Sequence, residues 1–340
     1  MDTNPQTPST PPSRWRGAAI NFALVCASLA ISYGIAELLL WRYENALMTQ
    51  AGFFVPADPS VDGAAWDVDP AGFERFRWQD DGNSIVHIKS DNPGLVYELR
   101  PGAHISDTIR INNDGFRDYE FSTEKPEGVY RIVVLGDSIT FGWLQRQEEI
   151  YPKLLEAKLN ATAAPGRKFE VYNLGMGGYH AGQELELLRA KALRYQPDLI
   201  VVGYCTNDNQ IGFDAGLWRH FSRSGSRTWD FISLRWMLYR ERTAEKSLVE
   251  RSYEGMAAAA SEAGVPLLVL IFPDKLSPDG GPALQQEALC RKLGIETVNL
   301  YPVFQKAGFD TVLADMVHPT TAGHAAAAQA LYEHLHPRLQ

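Results

Sequence analysis

Tyr130-Arg131-Ile132-Val133-Val134-Leu135-Gly136-Asp137-Ser138-Ile139-Thr140-Phe141-Gly142 reads as a buried strand that stops at a polar turn. A β-branched apolar run of this length, bounded by Gly-Asp-Ser, fits a strand that delivers a hydroxyl to the carboxyl edge of a sheet, where open α/β folds keep their chemistry. Ser138 is therefore the candidate nucleophile. Gly, Asp and Ser are also ordinary turn and cap residues, so the motif by itself equally fits a strand-ending turn with Ser138 as an N-cap.

Downstream of Ser138 the chain alternates helical and extended patterns. Helix signals run from Glu148 to Leu159, Gln183 to Tyr195, Ser247 to Ala263, Pro282 to Leu293 and Thr321 to Leu335. Between them lie the apolar runs 169–172, 199–202, 267–272 and 297–300. Strands that alternate with helices imply crossover connections and a mainly parallel sheet covered on both faces. The expected fold class is α/β, a three-layer α/β/α sandwich of flavodoxin-like type over residues 130–340.

Upstream, residues 1–16 are rich in Pro, Ser and Thr without hydrophobic period, and are expected to be a disordered tail. Gly17 to Ala36 then carries no charge, and apolar character resumes after Glu37 through Trp41. About 20 helical residues span the roughly 30 Å hydrocarbon core, so residues 17–41 are expected to form a transmembrane helix. A cleaved signal peptide is the rival, but the run exceeds the usual h-region and no small-x-small site follows it. Arg14 and Arg16 before the helix, against Arg42 after it, favour a cytoplasmic amino terminus and a periplasmic or extracellular catalytic domain.

Residues 42–83 read as a juxtamembrane linker. Residues 84–129 read as a small β-rich lead-in of short extended pieces, with a turn signal at Asn112-Asn113-Asp114-Gly115. A net charge of −9 argues against a general nucleic-acid binder. The three cysteines, Cys26, Cys205 and Cys290, have no metal-like spacing and form no even disulfide framework.

Polar and glycine residues recur at the strand ends. The second strand closes in Asn173-Leu174-Gly175-Met176-Gly177-Gly178, the third in Gly203-Tyr204-Cys205-Thr206-Asn207-Asp208. Near the carboxyl end stand Asp315-Met316-Val317-His318-Pro319, then Gly323 and His324. Across residues 130–337 the chain resembles the SGNH hydrolases, the superfamily that includes the GDSL esterases and lipases. Four ordered blocks carry the resemblance: Gly136-Asp137-Ser138, Gly175, Asn207 and Asp315-x-x-His318. It implies Ser138 as nucleophile, the N–H groups of Ser138 and Gly175 with the Asn207 amide as oxyanion hole, and Asp315 with His318 as acid and base partners. Cys205 departs from the family's third block, where glycine often stands two residues before the asparagine.

Elementary chemistry asks for the same parts. A serine hydroxyl needs a base within hydrogen-bond reach, and imidazole titrates in the useful range. A carboxylate three residues from that imidazole can reach it across one turn and fix its tautomer. His180 is an alternative base without a nearby carboxylate, and Asp315, His318 and His324 form a conceivable metal set that lacks a recognised ligand spacing. The aromatic segment 211–242 fits either a lid or substrate platform, or ordinary packing; helical spacing of Leu234, Met237 and Leu238 favours packing.

The expected function is serine esterase chemistry through an acyl-enzyme on Ser138, acting on small-molecule or glycan acyl esters at a membrane. Neither cofactor nor metal is called for, no nucleic acid is involved, and protein partners are not specified. O-acyl transfer to envelope glycans shares the covalent step, and a silent glycan-binding module is the reading from another class.

Overall fold

The computed structural model describes residues 14–50, 87–106, 109–143, 145–209 and 224–339, with 14–16, 43–50, 104–106, 207 and 209 described by backbone alone. Of the expected tail over 1–16, residues 1–13 lie outside these residues and 14–16 are helical instead, being the first residues of the long N-terminal helix; most of the expected linker also lies outside them. The chain divides into two compact units.

The first unit holds helix α1 (Arg14–Gln50) and residues 224–236. Within α1, Gly17–Arg42 is long and apolar enough to cross a membrane or to serve as a signal sequence, and its side chains are largely exposed. The helix extends past the expected end at residue 41, since Tyr43 to Gln50 contains neither proline nor glycine to stop it.

The second unit opens with two antiparallel pairs, β1 (His87–Lys89) with β2 (Tyr97–Leu99), and β3 (His104–Ser106) with β4 (Ile109–Arg110). The main sheet follows: β5 (Val129–Gly136), β6 (Lys168–Asn173), β7 (Leu199–Tyr204), β8 (Leu267–Ile271) and β9 (Glu296–Asn299). Its spatial order is β6-β5-β7-β8-β9, and all four pairings are parallel. The order reverses at β5, so the carboxyl ends of β5 and β7 flank the switch point where open α/β sheets bind ligands.

Residue alternation along β5 shows why both faces are covered. Val133 and Leu135 enter one core cluster, with Leu187 and Leu188 of α4 (Ala181–Ala190) and Tyr253 and Met256 of α6 (Leu248–Ala263). Ile132 and Val134 enter the other, with Leu155 and Leu159 of α3 (Tyr151–Ala161) and Leu331 and Leu335 of α10 (Thr321–Leu339). Each of these strand residues is fully buried, and truncating such an aliphatic side chain to alanine costs about 2–5 kcal/mol.

The β-rich lead-in is built into this domain. Leu95, Tyr97, Leu99, Ile109, Ile111 and Phe116 belong to the same cluster as Val133 and Leu135. Short strands could not bury these residues by themselves, so they use the sheet's helical layer as their core.

Candidate active site

Strand β5 ends at Gly136, whose φ of 153° and lack of Cβ let the chain turn against Thr140; a Cβ there would stand 2.1 Å from Thr140 Oγ1. Asp137 caps the short helix α2 (Ser138–Phe141) by accepting the Ile139 N–H at 2.8 Å. Ser138 is thus the first helical residue rather than the cap. Its N–H has no acceptor within the helix, and its side chain stands at the sheet edge.

Ser138 Oγ lies 2.8 Å from His318 Nε2, and His318 Nδ1 lies 2.7 Å from Asp315 Oδ2. Asp315 Oδ1 also accepts the backbone N–H groups of Val317 and His318, at 2.9 and 2.8 Å. Burial alone would raise the Asp315 pKa, but the hydrogen bonds and charge of His318 and these two N–H groups outweigh it and pull the carboxyl down to about 2. An ionised Asp315 accepts from Nδ1–H, which leaves Nε2 as the acceptor facing the serine hydroxyl. The connection from 312 to 320 is held in place by an isolated bridge between Leu313 and Pro319.

Gly175 does not fit the donor role expected for it. Its N–H donates to Asn173 Oδ1 at 2.9 Å, and a Cβ on it would lie 2.2 Å from Phe141 N and 2.5 Å from Thr140 C. The residue is glycine because the loop presses against the backbone of α2. Backbone hydrogen bonds in this loop run from Met176 N to Gly136 O and from Tyr179 N to Met176 O, at 2.9 and 3.2 Å. The next N–H groups, those of Gly177 and Gly178, take part in none of them.

Asn207 lies in a 3-10 turn (Thr206–Asn209) directly after β7, so its backbone stands at the switch point; its side chain is outside the described residues. Cys205, the departure in this block, is buried in the cluster of Ile139 and Phe272.

His180 does not stand as a base. It caps α4, with Nδ1 accepting from Gly182 and Gln183 N–H at 3.0 and 3.4 Å, and burial lowers its pKa to about 4. His324 is fully buried beside Tyr151, accepts the Tyr151 N–H on Nδ1 at 3.2 Å, and is driven down to about 3 by burial, with Arg117 and His318 adding to the effect. Both imidazoles are structural in this arrangement.

Four residues around the site escaped the sequence reading. Arg117 is fully buried and donates to the carbonyls of Phe141, Gly142 and Gln145, while its guanidinium stacks 5.1 Å from the Phe141 ring centroid. Burial lowers its pKa to about 9, against the opposing pull of Glu148 and Asp118. Its neighbour Asp118 accepts the Asn173 N–H at 2.8 Å and pairs with Lys153 at 2.8 Å. One dipeptide of the lead-in therefore holds both the turn that follows Ser138 and the end of the neighbouring strand β6. Its only sequence signal was an arginine and an aspartate following the Asn112–Gly115 turn.

Glu184 and Asp208 are the other two. Both are fully buried, and Glu184 Oε1 and Oε2 and Asp208 Oδ1 have no hydrogen-bond partner among the described residues. Tyr253 donates to Asp208 Oδ2 at 3.4 Å. Burial first, then repulsion from neighbouring carboxylates, pushes both pKa values well up: Asp137 acts on Glu184, and Glu184 and Asp137 act on Asp208. An acid at each of these positions is readable in the sequence, but their common burial is not.

Of the aromatic segment 211–242, residues 211–223 lie outside the described residues, and the rest departs from expectation. Helix α5 (Arg227–Thr243) has no fully buried residue: Leu234 and Met237 are half-buried and Leu238 is exposed, short of the packed stripe that their spacing suggested.

A family model described as the GDSL-like Lipase/Acylhydrolase family matches residues 134–326. A comparison with curated proteins found no match. Among solved structures, the chain is similar to a two-domain esterase active on acetylated mannans, at 21% identity and a TM-score of 0.44, covering 62% of this chain and 50% of that one. It is also similar to TesA, at 20% identity and TM-score 0.42, covering 61% and 98% of the two chains. The lipase/acylhydrolase from Enterococcus faecalis gives 17% identity and TM-score 0.44, covering 62% and 97%. The matched family segment begins within β5 and ends within α10, enclosing Ser138, Asp315 and His318, and the chain belongs to the GDSL-like lipase/acylhydrolase family of ester-hydrolysing enzymes.

Proposed function

We propose that the chain hydrolyses carboxylic esters through an acyl-enzyme on Ser138. The observation that carries this reading is the continuous chain from Ser138 Oγ through His318 to Asp315, at 2.8 and 2.7 Å. His318 Nε2 takes the hydroxyl proton as Oγ bonds to the ester carbonyl carbon, and the carbonyl electron pair moves onto oxygen. The resulting oxyanion is met by the N–H of Ser138, by the glycine N–H groups at 177 and 178, which have no backbone acceptor among the described residues, and by the Asn207 amide; the Gly175 N–H is instead engaged by Asn173. Protonated His318 then gives its proton to the leaving alkoxide, the C–O bond breaks, and the acyl group stays on Ser138. Water deprotonated by the same imidazole releases the acid.

The substrate we propose is a short-chain acyl ester on envelope or secreted polysaccharide. Its support is the apolar span of α1, which as an anchor with a cytoplasmic amino terminus would hold the catalytic unit at the outer side of a membrane. A fluorophosphonate probe tests the covalent step: wild type should be labelled and Ser138→Ala should not. Equal labelling of the two would end the proposal. Release of acetate from acetylated polysaccharide, compared with longer chromogenic esters, tests the substrate class.

A further inference from the structure

Glu37 is the one charged residue between Gly17 and Trp41, and the structure gives its carboxylate a partner. Oε1 accepts the Thr228 N–H at 2.9 Å and the Ser226 hydroxyl at 2.8 Å, and Oε2 accepts the Arg227 N–H at 3.0 Å. These N–H groups open α5, so a side chain of α1 caps the amino terminus of α5 and meets the positive end of its dipole. Tyr33, one turn earlier, donates to Ser226 Oγ at 2.7 Å, which fixes the cap against two successive turns of α1.

Residues 224–236 belong to the same compact unit as α1. On the first part of α5, Trp229, Ile232 and Trp236 stand at i, i+3 and i+7, with 61%, 52% and 61% of their surface exposed. A stripe of two tryptophans and an isoleucine with that exposure requires a cover.

We propose that α5 is an interfacial helix whose Trp229–Ile232–Trp236 stripe lies in the boundary layer of a lipid bilayer, docked to the spanning helix by Glu37. The inference rests on the reading of α1 as a membrane anchor. Depth argues for the bilayer as the cover. Glu37 is 20 residues beyond Gly17, about 30 Å along a helix, so the cap lies one hydrocarbon thickness from the start of the apolar span. That level is where tryptophan is enriched, and Arg227 and Arg235 supply the cations suited to lipid headgroups. In hydrocarbon a lone carboxylate is costly; at the interface, bound by two N–H groups and a hydroxyl, Glu37 is accommodated.

The test uses the full chain in vesicles of phosphatidylethanolamine and phosphatidylglycerol whose acyl chains are brominated near the headgroup, a contact quencher of indole emission. The emission of Trp229 and Trp236 is the difference between wild type and the W229F/W236F variant; that of Trp41 is the difference between wild type and W41F. The inference expects most of both difference signals to be lost in brominated vesicles relative to unbrominated ones. In Glu37→Gln and Glu37→Ala, the Trp229/Trp236 quenching should weaken while Trp41 quenching persists. Quenching of Trp41 without Trp229/Trp236 would overturn the interfacial helix, a second chain or protein then covering the stripe. Loss of neither signal would overturn it together with the anchor on which it stands.

Discussion

Ser138 Oγ and His318 Nε2 stand 2.8 Å apart although 180 residues separate them in sequence. That contact depends on two independent supports, the cap that Asp137 places on α2 and the three-residue reach from Asp315 to His318. His318→Ala should lower kcat about 10^4-fold or more, and Ser138→Ala similarly, because the two act as one unit. The double variant should therefore be little worse than either single one. Steady-state hydrolysis of a chromogenic acetyl ester measures this, and multiplicative losses would separate the two residues.

Asp315 acts through His318, so its removal should be milder and should depend on pH in a stated way. With its pKa near 2, Asp315 remains ionised throughout the range in which an esterase assay is run. The acid limb of the pH–rate profile therefore belongs to a group other than Asp315. Asp315→Asn should reduce kcat by about 100-fold or more while leaving KM nearly unchanged. A variant whose KM rises with unchanged kcat would place Asp315 in substrate binding instead.

Arg117 is a positioning residue by geometry: its fork engages three carbonyls in the turn that follows the nucleophile. Arg117→Ala leaves those buried acceptors unpaired, at about 1–3 kcal/mol for each group left unsatisfied, and should lower the melting temperature by several degrees. Arg117→Lys keeps the charge but not the planar fork, so it should recover part of the stability and less of kcat. Full recovery of kcat by lysine would show that charge alone suffices.

The alternation of apolar runs and helical periods was enough to give the parallel sheet and both covering layers, because a continuous apolar run such as Ile132–Leu135 needs cover on both faces. Ser138, Asp315 and His318 were legible because their chemistry demands particular residue types at short spacing or at a strand end. Gly175 was misjudged for a physical reason. A glycine after a strand signals close backbone approach, yet sequence cannot say whether the neighbour is a substrate oxygen or, as here, the backbone of α2. Arg117 and Asp118 were invisible because their significance comes from long-range burial beneath two loops. The exposed apolar stripe of α5 had the helical period of a core element, and period alone does not tell protein from lipid as the covering medium.

The glycine loop gives a contrast between a tightly packed glycine and an open one. Gly175→Ala retains the backbone N–H but places a methyl 2.2 Å from Phe141 N, so it should destabilise the fold by roughly 1–3 kcal/mol or more and displace α2. At Gly177 an added Cβ meets nothing within 4 Å, and Gly177→Ala should change the melting temperature little. Thermal melts of the two variants settle the matter. A Gly175→Ala variant as stable as wild type would show that the loop does not press on α2 in this way.

Glu184 and Asp208 make a pH prediction whose sign follows from their raised pKa values. In the unfolded chain both titrate near 4; in the fold, burial and mutual repulsion hold the proton to much higher pH. Between those limits the folded protein binds more protons than the unfolded one, so stability falls as pH rises. Below about pH 4 both states are protonated and the penalty disappears. Glu184→Gln removes one ionisable group and relieves Asp208 of the stronger of its two carboxylate repulsions, while keeping the size of the side chain. The variant should melt higher than wild type at pH 8 and show a shrinking advantage as pH falls to 4. The check is a series of melts at fixed ionic strength across that range, with circular dichroism to establish that both proteins begin folded. A stability difference that is constant with pH would mean that Glu184 is ionised, or neutral, equally in both states, and that burial does not raise its pKa.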